Sequence, residues 1–500
     1  MSRLGIDFGT TRTIVALADH GNYPLAMFQD EAGDALPFFP SVLALVDGEL
    51  VAGHRAVAAM AQGAPALPSF KRLLAAPRQH LSGDVELGGQ HFSLLDLLTA
   101  FLRQLHQALL DSSLGPRLSA DPLEVVVAVP AQAYSAQRFF TIQAFEQAGF
   151  TVVGMLNEPS AAAFEFAHSR QHQAGTRVLV YDFGGGTFDA SLIEIEGHRH
   201  RVLATAGDNV LGGDDMDVVL ADLALAAAGV ERAQLSRSDY LNLLTEARLA
   251  KESLAPQSRR ILLEVAGRDV TVPVADFYAA ITPLVERTVD ALAPLLSGVH
   301  VSALREDAIA GLYVVGGASA LPLVPRALRE RFGRRVLRSP LPAGSVAVGL
   351  AIAGDEIGYE VRDLLSRGFG VFREADGGAT LSFDPILSPE QELPTTGTLT
   401  VTRTYQAVHN VGHLQFVEYR QLGADGLPSG DISPFARVVH PIDPALYDVA
   451  DLAALPVHHC EGHLVEERYE IGADGVVRVT LAGEGGFART YELQVGTGGR

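Results

Sequence analysis

The stretch Val178–Ile195, VLVYDFGGGTFDASLIEI, restricts the choice of fold more than any other part of the chain. Val178, Leu179, Val180 and Tyr181 read as a buried strand, and Phe188 to Ile195 as its antiparallel return, with side chains alternating between faces. Between them lie Gly184, Gly185, Gly186 and Thr187. Glycines let a backbone turn with positive φ and bring its N–H groups up to an anion with no Cβ in the way. Asp182 and Asp189 flank the turn. Carboxylates there repel a bare phosphate but hold the hydrated Mg²⁺ that accompanies one. A tight turn in any antiparallel sheet would use the same glycines, so the hairpin alone does not decide for a phosphate site.

The first residues carry the device again: Leu4-Gly5-Ile6-Asp7-Phe8-Gly9-Thr10-Thr11, followed by the β-run Thr13 to Ala18. Two strand–Asp–x–Gly–turn–strand units predict two similar α/β lobes whose hairpins face each other across a nucleotide. A third glycine turn, Val314-Val315-Gly316-Gly317, follows a further strand and precedes a helical pattern from Pro322 to Phe332. The three turns resemble the actin, sugar-kinase and heat-shock-70 ATPase superfold.

The segments between the turns narrow the resemblance to the heat-shock-70 chaperone family. They are Pro68 to Leu74, Val127-Ala128-Val129-Pro130, Ser135-Ala136-Gln137-Arg138, Asn157-Glu158-Pro159-Ser160-Ala161-Ala162-Ala163, Ala206 to Asn209 and Leu211 to Asp217, in the family's order and spacing. The resemblance implies a two-lobed ATPase domain over 1–355, a linker over 356–364 and, over 365–500, a small all-β sandwich that binds peptides. Alternating runs downstream support the sandwich: Thr398 to Tyr405, Leu414 to Tyr419, Val465 to Ile471, Val476 to Ala482 and Arg489 to Val495, with a helix only around Pro444 to Ala454. Arg367 to Val371 and Ile471 to Val479 resemble the family's first strand and a late hairpin. Helices are expected over Leu94–Leu110, Leu241–Leu254 and Asp276–Leu296, the last interrupted only by Pro283 and Pro294.

What the resemblance implies for chemistry can be placed residue by residue. ATP is the expected cofactor with Mg²⁺. Gly9, Thr10, Thr11, Gly184, Gly185, Gly186 and Thr187 would cradle the phosphates, and Gly212, Gly213, Lys251, Gly316 and Gly317 would complete the nucleotide site. Asp7 and Asp182 would hold the hydrated metal, Lys71 would neutralise charge on the γ-phosphate, and Glu158 with Thr187 would orient the attacking water. Lys71→Ala is expected to slow hydrolysis at a nearly fixed melting temperature. Pro130 and Arg138 would relay nucleotide state between domains. Hydrolysis of this kind relies on positioning and electrostatics, and with no stronger base evident a slow ATPase is expected.

Several positions depart from the family. Arg248 stands where the family has glutamate, Ala255 where it has serine, Ala320 replaces an arginine and Ala343 an acidic residue near the ribose. Binding should therefore rest on phosphates and metal, with little discrimination between bases. The linker Gly358-Tyr359-Glu360-Val361-Arg362 is more polar than the family's, and the chain reaches Arg500 without the family's helical lid, so fast exchange of extended apolar peptides is expected. The other readings are a nucleotide-binding scaffold or exchange-factor-like relative that does not cycle, and a sugar-kinase-like phosphotransferase.

Composition bounds the partners. A net charge of −21 argues against nucleic acid or an anionic membrane surface as the main partner. Unfolded or extended apolar peptide segments and co-chaperones are expected instead. Cys460 is the only cysteine, which excludes an intrachain disulfide. With a first strand read from Leu4 no signal peptide is expected, and the most apolar helical run, Val218 to Val230, is short and contains Asp222. A cytoplasmic address is expected. His458, His459, Cys460 and His463 lie close in sequence but lack the second ligand pair that a structural zinc site uses.

Overall fold

Two sheets of the same construction dominate the first part of the chain. The computed structural model describes residues 3–75, 85–118, 122–170, 173–297, 309–355, 358, 360–375 and 380–492. Among these, 3–75, 85–132 and 143–361 form one unit, and 133–142 with 362–492 form another. In the first sheet Leu4–Phe8 pairs antiparallel with Arg12–Leu17 and parallel with Leu123–Val129, which pairs parallel with Phe150–Asn157. In the second, Thr176–Phe183 pairs antiparallel with Phe188–Glu196 and parallel with Ile309–Val315, which pairs parallel with Val336–Arg338. The central strands are near-continuous apolar runs because both of their faces are covered. Val125, Val127, Ala128 and Val129 are completely buried, as are Val178, Val180 and Tyr181.

Two helices lie between the sheets and explain the alanine-rich composition there. Glu158–Ser169 leaves the end of the first sheet and packs on the second, while Ser345–Gly354 packs on the first. They cross in contact: a Cβ on Gly349 would stand 1.8 Å from the Ala161 carbonyl oxygen. Only small residues permit that approach, and Ala161, Ala162 and Ala163 are fully buried. Glu158 begins the first of these helices, so the same packing sets its side chain in the cleft between the lobes.

The second unit is a sandwich of two four-stranded sheets. One runs in the order Thr380–Leu387, Gly368–Ala375, Val411–Leu422, Pro428–Pro441, and the other in the order Thr398–His409, His459–Gly472, Val477–Ala482, Ala488–Glu492. Its core joins Phe369, Val371 and Phe416 of one sheet to Tyr469, Ile471 and Val479 of the other. Phe369 and Phe416 stack at 5.4 Å.

Three local expectations need correction. The helix expected over Asp276–Leu296 ends at Asp290 and restarts as Ala293–Ser297. Around Pro444 to Ala454 there is only the short 3₁₀ turn Pro444–Leu446. Thr380–Leu387 and Pro428–Pro441 are strands that the alternation did not reveal. Both are edge strands containing proline, which edges tolerate because they leave one row of N–H groups unpaired. Within the stretch expected as a linker, Glu360–Arg362 forms an edge strand of the second sheet, where the Glu360 N–H donates to the His198 carbonyl at 3.0 Å. Tyr359 and residues 493–495 of the last expected strand lie outside the described residues.

Candidate functional site

Both hairpins place an aspartate near the end of an inner strand, just before the turn. Asp7 sits opposite Ile14, and Asp182 opposite Asp189. The two turns then meet with almost no room between them: a Cβ on Gly185 would lie 2.6 Å from Thr11 Cγ2, and one on Gly186 2.6 Å from Thr10 Oγ1. The third turn closes beside them. Gly316 has φ +85°, and a Cβ there would be 2.4 Å from Asp182 Oδ1, so side-chain size and backbone conformation both demand glycine. Gly212 and Gly213 brace the second turn, with the Gly213 N–H donating to the Gly184 carbonyl at 3.0 Å and the Asp214 N–H to that of Gly185 at 2.8 Å.

These elements bring most of the expected residues into one cleft of the first unit. Asp7, Gly9, Thr10, Thr11, Lys71, Glu158, Asp182, Gly184, Gly185, Thr187, Gly213, Lys251, Gly316 and Gly317 all line it. Gly186 and Gly212 are not on its wall; they stand behind it, packed against Thr10 and the Gly185 carbonyl. Pro130 follows the buried strand Leu123–Val129 and is not among the residues that line the cleft. Arg138 belongs to the second unit, where it is buried and donates to the Asp474 carbonyl at 3.4 Å.

The electrostatics of the cleft floor are unbalanced. Lys71 is 4% exposed, and its ammonium pairs with Glu158 Oε1 at 3.3 Å and lies 5.4 Å from the Phe8 ring centroid. Around that one cation stand the buried carboxyls of Asp182, Asp189 and Glu158, with Asp7 beside them. Burial, then the charge of Glu158, pushes Asp7 up to about 7 despite Lys71. The same two causes push Asp189 up to about 8, against a hydrogen bond from the Gln132 N–H at 3.3 Å. Asp182 is held well above the carboxylate range by burial and by Glu158, Asp7 and Asp189. Hard oxygen donors short of positive charge, beneath turns that a Cβ would fill, suit a hydrated divalent cation carried by a phosphate chain. Among the described residues no group of three or more His, Cys, Asp or Glu side chains is close enough to hold a metal by itself, so such an ion would keep water or phosphate oxygens as ligands.

The opposite end of the cleft is built from paired charges. Arg248 donates to Asp217 Oδ2 at 3.2 Å and Asp214 Oδ1 at 3.1 Å. Lys251 lines the cleft, but its ammonium is engaged by Asp217 at 2.5 Å and by the Gly213 carbonyl at 2.6 Å. At this end charged side chains also join the lobes. Arg72 donates to Asp215 Oδ1 at 3.2 Å and to the Val210 carbonyl at 3.0 Å, and Arg12 pairs with Glu252. Arg12 also covers the Phe38 ring at 4.5 Å. Sequence reading missed Arg12, Glu252, Asp214 and Asp217 as cleft residues. The available signal for Arg12, Glu252 and Asp214 was their adjacency to Thr11, Lys251 and Gly213, and for Asp217 its place in the Leu211–Asp217 segment; neither says where a side chain points.

Two lobes of like topology, facing glycine turns and a carboxylate-lined floor define the actin, sugar-kinase and heat-shock-70 superfold. The particular branch follows from comparison: the model of the family described as Hsp70 protein matches residues 3–366, and the chain belongs to the Hsp70 family. Among similar proteins is the Chaperone protein HscA homolog of Burkholderia pseudomallei (strain 668), 34% identical over 373 residues, covering 70% of this chain and 58% of the relative. The Chaperone protein HscA homolog of Variovorax paradoxus (strain S110) is 33% identical over 374 residues, covering 71% and 58% respectively. The match thus spans well under two thirds of those relatives' length. Among the described residues no helix is long and apolar enough to cross a membrane.

Proposed function

We propose that this chain is an ATP-dependent chaperone of the heat-shock-70 type, in which slow hydrolysis of Mg²⁺-ATP in the cleft is coupled to binding of extended polypeptide segments. The observation that carries this reading is the cluster of Asp7, Glu158, Asp182 and Asp189 around the buried ammonium of Lys71, directly under two interlocked glycine turns. Asp7 and Asp182 would hold the hydrated Mg²⁺, which supplies charge neutralisation for the phosphates when bound. Backbone N–H groups of the Gly9–Thr11 and Gly184–Thr187 turns bind and orient the phosphate chain. Lys71 carries positive charge to the γ-phosphate, and Glu158 and Thr187 position the attacking water. The Glu158 carboxylate is anchored for that role by Lys71 on one side and its helix on the other.

The relatives' name supports the chaperone reading, as does the all-β sandwich that follows the two-lobed part in sequence. Residues 1–355 would act as the ATPase, 356–364 as the connection and 365–500 as the peptide-binding part, with Pro130 and Arg138 as relay residues and co-chaperones as partners. A cytoplasmic address completes this reading. A second reading, a nucleotide-binding relative that does not cycle, is favoured by one observation: Arg248 and Lys251 are engaged by Asp214, Asp217 and the Gly213 carbonyl at the end where a nucleoside would lie. Steady-state ATP hydrolysis with and without an unfolded polypeptide separates the two. Stimulated multiple turnover supports the chaperone cycle; binding without turnover, with or without polypeptide, rejects it.

A further inference from the structure

The two ends of the cleft are built for different things. The glycine end presents backbone N–H groups and a floor of carboxylates and Lys71. At the other end the charged side chains already bind one another: Arg248 to Asp214 and Asp217, Lys251 to Asp217, and Arg12 to Glu252 across the opening. Ala343, also in the lining, offers no hydrogen-bonding side chain to a ribose or base. The free volume is about 100 Å³, whereas pockets that enclose a small organic ligand run to roughly 300–1,000 Å³. The Arg12–Glu252 pair lies on the cleft wall, so a nucleoside enters only if the two side chains part.

Given the reading of this cleft as a Mg²⁺-phosphate site, we infer that its ligand class is the Mg²⁺ complex of a phosphate chain, inorganic triphosphate included, and that Arg12 and Glu252 gate the cleft against the nucleoside. The gate is a light one. Its side chains are 31% and 37% exposed, and exposed ion pairs are weak, so opening it costs a nucleotide roughly two- to fivefold in affinity. Stacking of Arg12 on Phe38 keeps its guanidinium over the opening and limits how far it swings away. A nucleoside triphosphate therefore gains little from its nucleoside, and a bare triphosphate loses little by lacking one.

Titration calorimetry on the full chain with Mg²⁺-tripolyphosphate, Mg²⁺-ATP and adenosine tests this. The expected result is dissociation constants for tripolyphosphate and ATP within tenfold of each other, and no heat from adenosine at millimolar concentration. The double variant Arg12→Ala/Glu252→Ala removes one charge of each sign, so the net charge of the site is unchanged. It should tighten ATP two- to fivefold relative to tripolyphosphate. ATP binding more than tenfold tighter than tripolyphosphate in the unaltered chain overturns the inference while the phosphate-site reading stands. An unchanged ratio in the double variant overturns the gate. Binding of neither compound overturns both the inference and the function proposed above.

Discussion

Lys71→Ala tests the charge arrangement of the cleft floor through stability as well as rate. The sequence alone led to the expectation of a nearly unchanged melting temperature, but the structure buries Lys71 and sets it 3.3 Å from an equally enclosed Glu158. At that separation the gross attraction is about 5 kcal/mol for an effective dielectric constant near 20. Removing one partner of a buried pair costs about 3–5 kcal/mol, because the charge left behind is uncompensated. The lower figure, about 3 kcal/mol, applies here, since the remaining carboxyls can take up protons. In a unit of this size that lowers the melting midpoint by roughly 5 °C. The assay is thermal unfolding in EDTA at pH 8, following the transition that Mg²⁺-ATP shifts in the unaltered chain. Because Asp7 and Asp189 titrate near 7 and 8, the deficit should shrink as the pH is lowered towards 6. An unchanged midpoint at pH 8, or a deficit that grows in acid, would refute the claim that Lys71 is the balancing cation of the floor.

Gly316→Ala should weaken Mg²⁺-ATP binding by tenfold or more, about 1.4 kcal/mol, because φ +85° and the 2.4 Å approach to Asp182 Oδ1 leave no room for a Cβ; unaltered affinity by calorimetry would count against the third turn as part of the site. Burial raises Asp7 and Asp189 above an ordinary aspartate, so both favour folding below about pH 4 and lose that contribution as the pH rises to about 7 and 8. Mg²⁺-ATP binding at pH 7 should accordingly release protons, seen as a dependence of binding heat on buffer ionisation enthalpy, and the absence of that dependence would remove these acids from the metal site. In the sandwich, burial and then Arg489 push His440 down to about 4. Stability it contributes is complete above pH 6.5 and falls by about 1.4 kcal/mol per pH unit between 6.5 and 4; His440→Phe should flatten that slope in urea unfolding of the full chain, and an unaltered slope would contradict the assignment.

The hairpins were legible because their signals are local: an apolar run, an aspartate at a set place, glycines, and a second apolar run. Those signals put Asp7, Gly9, Asp182 and Gly184 at the turns, and the family resemblance supplied their expected roles towards phosphate and metal. The paired charges at the far end were not legible, because Arg12 and Glu252 come from different lobes and meet only when both sheets are built. The edge strands Thr380–Leu387 and Pro428–Pro441 were hidden by their own prolines, which break the alternation that marks a strand. The break between Asp290 and Ala293 was hidden for the opposite reason, since apolar spacing continues across it and Leu292 and Leu295 are buried in the same core. Periodicity records which residues face the core, and a helix can be interrupted without changing that.

Single-turnover hydrolysis of γ-labelled ATP tests the central claim most directly, in the unaltered chain and in Lys71→Ala and Glu158→Gln. The account predicts slow phosphate release that follows one exponential, stops when Mg²⁺ is chelated and falls by a hundredfold or so in Lys71→Ala, the usual scale for loss of one preorganised electrostatic contact. Phosphate release from the unaltered chain no faster than from Lys71→Ala, under conditions where both bind ATP, would contradict it.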